Sequence, residues 1–137
     1  MKEDLESKYV ADFLDHLIKG DKTKCSSIAN AYLEQHPSLL DLYEKIIKVS
    51  LYEVGRLWEI NKISVATEHM ATAITEGILN ELFLQIHPSK KYSKKIVVSC
   101  VENEKHQVGI KMVADLFEMK GWDSYFLGSG IPVSELI

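Results

Sequence analysis

Glu104, His106 and Gly109 follow directly on a β-branched run, Ile96-Val97-Val98-Ser99-Cys100-Val101, and this is where the chain's chemistry is most concentrated. The neutral imidazole of His106 is a transition-metal ligand. A carboxylate two residues earlier can accept a hydrogen bond from the ring nitrogen that does not meet the metal, which orients the ring and raises its basicity. Gly109, with no Cβ, allows a bulky group to approach the backbone. The same residues also suit a solvent-exposed histidine at a helix start, with Glu104 offsetting the helix dipole.

Trp58 and the pair Glu68-His69 form a second constellation. Tryptophan is a broad apolar plate carrying one donor, suited to covering a planar or sugar-bearing ligand. Glu68 and His69 could hydrogen-bond a ribose or hold a metal. The alternative is structural: a core tryptophan at helical spacing and a surface Glu-His pair.

The elements that must position these residues follow from the apolar periodicity. Leu5, Tyr9, Val10, Phe13, Leu14, Leu17 and Ile18 share one helix face. Gly20 permits a left-handed end, and Asp21 caps a second helix over about 22–35. Pro37 stops that helix, and Ser38 caps a third over about 39–61, with Leu39, Leu42, Ile46, Val49, Val54, Leu57 and Trp58 facing inward. Ser64 caps a fourth, ending before Pro88. Short turns between helices predict an antiparallel four-helix bundle over residues 1–87, whose third-to-fourth turn brings Trp58 and Glu68-His69 to one end. Residues 88–94, rich in lysine and serine, read as a linker.

From residue 95 the pattern becomes strand, loop, helix, strand. The first run suits a strand buried on both faces. A helix carrying Val108, Met112, Val113, Leu116 and Phe117 follows, then a strand over about 122–127 and the turn Gly128-Ser129-Gly130. This is one βαβ unit with parallel strands. Glu104 and His106 then lie at the carboxyl end of a parallel strand, where open α/β sheets bind ligands.

In that order, the two constellations resemble the cobalamin-binding proteins with a methionine-synthase-like helical cap. E-x-H-x-x-G at Glu104, His106 and Gly109 is similar to their D-x-H-x-x-G motif, with Glu104 in place of the common aspartate. W-x9-E-H at Trp58, Glu68 and His69 is similar to the motif of adenosylcobalamin-dependent light-sensing regulators of the CarH type. The resemblance implies that His106 is the lower cobalt ligand and Glu104 its orienting partner. Gly109 would make room for the displaced dimethylbenzimidazole tail, and Trp58, Glu68 and His69 would lie at the upper axial group. It implies a four-helix cap followed by the start of a Rossmann-like, flavodoxin-like domain over 95–137. Two of about five strands are present, so the chain reads as truncated, with Val133–Ile137 opening the next helix. Adenosylcobalamin is the cofactor implied, with methylcobalamin the alternative. Glu59 stands where the light sensors carry a second histidine directly after the motif tryptophan, and His69 is the substitute that the sequence offers.

Composition narrows the classes. The 137 residues are 46% hydrophobic and 26% charged, with net charge −4, which is globular and exerts no long-range pull on nucleic acid or anionic membrane. No apolar run approaches the ~20 residues of a membrane span, and the acidic N-terminus lacks a signal-like apolar stretch. Cys25 and Cys100 form no disulfide framework, in keeping with a reducing cytoplasm. No phosphate loop, nucleophile elbow or zinc-type cluster marks an enzyme. His16 and His36 read as surface residues, His87 as part of the linker, and Cys100 as a small buried hydrophobe. The reading is therefore a cytoplasmic cobalamin-binding module of a sensor or transcription regulator, acting as a homo-oligomer or with a partner regulator protein and carrying no DNA-binding domain of its own. The alternative is a corrinoid carrier of a methyltransferase system.

Overall fold

A computed structural model describes residues 1–136, apart from the side chains of Lys2 and Glu3. The chain divides into two compact units, Met1–Ile78 and Leu79–Ile137.

The first unit is helical: α1 (Lys2–Lys19), α2 (Lys22–Gln35), a short α3 (Leu39–Asp41), a π-helical segment (Leu42–Ile47), α4 (Lys48–Glu59) and most of α5 (Val65–Phe83). Its boundaries are chemical. Gly20 takes φ +75° and ends α1; a Cβ there would also collide with Met70 on α5. The Asp21 carboxylate accepts from the Lys24 N–H at 3.0 Å, Ser38 Oγ from the Asp41 N–H at 3.1 Å, and Ser64 Oγ from the Thr67 N–H at 3.1 Å. Each bond satisfies a donor that a helix start would otherwise leave open. Phe13, Leu17, Tyr32, Leu42, Ile46 and Ile47 are wholly buried. At roughly 1.5–3 kcal/mol per large side chain, such burial holds together helices that would be marginal alone.

The third predicted helix is corrected in two respects. It is not uniformly α, and it ends at Glu59, before Asn61. Beside the π-helical turn, Val49, expected inside, is exposed and Ser50 is wholly buried, while Val54 lies inside as expected. Trp58 is 48% exposed, contrary to its expected inward position. The fourth helix stops at Phe83, short of Pro88, where Gln85 and Ile86 N–H groups turn back to the Leu82 and Phe83 carbonyls. His16 and His36 are half-buried, and His36 packs its ring on Tyr32 at 5.0 Å.

In the second unit, β1 (Lys95–Ser99) and β2 (Asp123–Gly128) pair in parallel through α6 (Val108–Met119), with a register shift where Ser99 meets Gly128. The expectation of a first strand buried on both faces fails at Val97, which is 58% exposed; Tyr125 and Leu127 on β2 are exposed as well. The single crossover helix packs one face of the sheet, and strand residues alternate between faces. Segment 88–94 is fastened to the turn after α6: the Tyr92 N–H donates to the Gly121 carbonyl at 2.7 Å, and Lys94 lies over the Trp122 ring. After β2 comes a short 3-10 turn at Val133–Glu135. The opening of a helix expected over Val133–Ile137 is thus a single tight turn as far as Glu135, and Ile137 lies outside the described residues.

Candidate functional site

β1 delivers the chain into an exposed loop over residues 101–106, which turns through Asn103 at φ +69° before α6 begins at Val108. Asparagine tolerates this left-handed conformation better than most residues. The turn folds Glu104 back on His106. One carboxylate oxygen, Glu104 Oε1, accepts from the His106 backbone N–H at 2.7 Å and from His106 Nδ1 at 2.8 Å.

These bonds define the histidine chemically. The His106 backbone N–H, followed by its ring N–H, holds the Glu104 carboxyl below the usual carboxylate range. The contact is therefore at full strength above the ordinary carboxylate pKa and is lost only as pH falls through the lowered value. An ionised carboxylate only accepts, so Nδ1 carries a proton, and in the neutral ring the lone pair then lies on Nε2. The side chain of His106 is 83% exposed, leaving Nε2 open to an incoming group. Gly109 lies one helical turn on, and a Cβ built there would meet nothing within 4 Å. Among the described residues, nothing packs against that position.

A cleft of about 470 Å³ opens beside this loop, lined by Glu102–Lys105 and by Ser129–Pro132 of the turn after β2. It lies at the carboxyl ends of both strands, the edge where α/β sheets place ligands. Gln107 and Ser129, which join the two sides, carry no signal in the sequence, because their partnership depends on the register of β1 and β2.

In the first unit, the chain passes from α4 to α5 through a compact reversal. The Asn61 N–H donates to the Trp58 carbonyl at 2.9 Å, the Lys62 N–H to the Leu57 carbonyl at 2.8 Å, and Asn61 takes φ +57°. Trp58 in the last turn of α4 and Glu68-His69 in the first turns of α5 therefore flank one short connection. Glu68 Oε2 accepts from His69 Nδ1 at 2.5 Å, and Glu68 Oε1 accepts from Thr72 Oγ1 at 3.0 Å. Glu68 is mostly covered while His69 is 76% exposed, so a second imidazole presents Nε2 outward on a carboxylate support.

The chain thus carries a helical unit followed by a parallel βαβ unit, with the exposed His106 side chain in the loop after the first strand. The chain matches the B12 binding domain family over residues 9–82 and belongs to it; cobalamin is the cofactor of that family. Over 116 residues it is 25% identical to the HTH-type transcriptional repressor CarH of Myxococcus xanthus, a stretch covering 85% of this chain and 38% of the repressor. It is 27% identical, also over 116 residues, to dimethylamine corrinoid protein 1 of Methanosarcina acetivorans, covering 82% of this chain and 53% of that protein. This chain thus spans about half or less of these relatives. In structure, it superposes on the monomethylamine corrinoid protein of Methanosarcina barkeri with a TM-score of 0.80 at 16% identity, covering 95% of this chain and 61% of the other. Against the methanol:cobalamin methyltransferase complex MtaBC of the same organism the TM-score is 0.57 at 18% identity, covering 94% and 50%. At such identities the structural likeness is one of fold.

Proposed function

We propose that the chain is the cobalamin-binding module of a sensor or transcription-regulatory protein, with His106 as the protein ligand to cobalt. One observation carries the ligand assignment: His106 has Nδ1 bound to Glu104 and an exposed side chain that leaves Nε2 open. Bound as an alkyl form, cobalamin would supply a labile cobalt–carbon bond. The residues of the chain bind and orient it. Glu104 fixes the tautomer of His106 and strengthens Nε2 as a donor. Trp58, Glu68 and His69 are proposed to contact the upper axial group. The exposure of Trp58 supports that role, since a ring left half in solvent is available to a ligand in a way that a core tryptophan is not.

The second reading is a corrinoid carrier subunit of a methyltransferase system. The fold shared with the monomethylamine corrinoid protein favours it. The upper ligand separates the two. Titration with adenosyl-, methyl- and hydroxocobalamin, with spectra in darkness and after green light, tests both. A regulator should prefer the adenosyl form and change its spectrum on illumination, and Trp58→Ala should reduce the preference by roughly tenfold, the loss of one buried aromatic contact. Equal affinity for the three forms, unchanged by Trp58→Ala, would overturn the regulatory reading. His106→Ala should abolish histidine ligation of cobalt, read from the bound spectrum, and an unaltered spectrum would remove the ligand assignment.

A further inference from the structure

We infer that Gln107 is a positioning residue for the cobalt ligand: its side chain straps the loop carrying His106 to the turn after β2. The inference rests on the reading of His106 as the ligand. Gln107 Oε1 accepts from the Ser129 N–H at 3.2 Å and from Ser129 Oγ at 3.4 Å. The fit is close, because a Cβ at Gly128, where φ is +74°, would lie 2.5 Å from that same oxygen. The left-handed glycine both turns the chain out of β2 and leaves room for the amide.

The rest of the His106 loop is tied locally. The Glu104 N–H donates to the Val101 carbonyl, Glu104 holds His106, and Cys100 Sγ makes a long contact to the His106 carbonyl at 3.8 Å. The strand ends are joined separately: the Cys100 N–H and Ser99 Oγ donate to the Gly128 carbonyl at 2.9 and 3.1 Å. Gln107, the covalent neighbour of His106, reaches with its side chain to Ser129 on the opposite wall of the cleft. It therefore sets where the imidazole stands relative to that wall, and a ligand held by both walls meets Nε2 only at that setting. An axial bond depends steeply on such placement, since a supporting shell that is loose by an ångström degrades a site that is otherwise intact.

The test is the electron paramagnetic resonance of cob(II)alamin bound to the full chain labelled with 15N-histidine. Coordination by a protein imidazole splits the cobalt lines into doublets, whereas the cofactor's own unlabelled base gives triplets. Gln107→Leu keeps the volume and removes the acceptor. It should lower the histidine-ligated fraction relative to other bound forms by about fivefold, the equivalent of one net hydrogen bond. Gln107→Glu, which retains an acceptor at the same reach, should restore it. Should leucine prevent folding, judged by circular dichroism, Gln107→Asn withdraws the amide by one methylene and reads the same bond. A wild-type doublet in a folded Gln107→Leu or Gln107→Asn chain overturns the inference. Persistence of the doublet in His106→Ala would instead overturn the ligand reading, so the two failures are distinguishable.

Discussion

At the scale of single residues, the chain repeats one device. His106 and His69 each give Nδ1 to a neighbouring carboxylate and present Nε2 to solvent. The supports differ: Glu104 lies in an exposed loop and also caps the His106 backbone N–H, while Glu68 is mostly covered and braced by Thr72. Removing the Glu104 carboxylate should release the ring. In Glu104→Ala, 15N spectra of the neutral imidazole are expected to shift from the Nδ1–H tautomer toward Nε2–H. Cobalamin affinity should fall by about tenfold or more, the usual cost of removing a carboxylate behind a metal-bound histidine. An unchanged tautomer would show that Glu104 does not orient the ring. These pairs were legible in the sequence because their members are one and two residues apart. The Gln107–Ser129 bond was not, because it spans a crossover and depends on strand register.

At the scale of elements, the π-helical segment marks the limit of periodicity. Leu42, Ile46, Ser50 and Val54 all lie inside at steps of four. An α-helix advances 3.6 residues per turn, so a strict four-residue row drifts around it. The wider turn at Leu42–Ile47 takes up that drift. Apolar periodicity favours Val49 for the inside and passes over Ser50, which has the spacing but not the apolar side chain, whereas the caps at Asp21, Ser38 and Ser64 were readable because capping is local. Ser50 Oγ is buried without a hydrogen-bond partner among the described residues. Ser50→Ala should therefore be neutral or stabilise the first unit by up to about 1 kcal/mol, since it removes a polar group whose desolvation nothing offsets. Urea unfolding followed by circular dichroism checks this, and a clear loss of stability would mean the hydroxyl is satisfied in solution.

At the scale of the molecule, the two compact units each carry one buried thiol, Cys25 in the first and Cys100 in the second. Burial comes first among the causes that raise both. Cys25 is pushed up to about 11, with Asp21 and Asp12 adding to the effect, and Cys100 rises with help from Glu104. A thiol whose folded pKa is raised stabilises the fold fully below its unfolded value and loses that contribution as pH climbs through the folded one. Between pH 9 and about 11 the wild-type chain should thus lose more stability than Cys25→Ala, by on the order of 2 kcal/mol. The same thiols report on each unit separately, because only the exposed thiolate reacts. Gly121 gives the means to separate them: it holds φ +87°, and a Cβ there would fall 1.9 Å from the Lys90 carbonyl oxygen. Gly121→Ala must therefore push the 88–94 segment off the α6–β2 turn. In that variant, a thiol reagent at neutral pH should modify Cys100 at least about tenfold faster, the effect of a local destabilisation beyond 1.4 kcal/mol. Cys25 should keep its wild-type rate. Equal acceleration at both positions would show instead that the two units open as one.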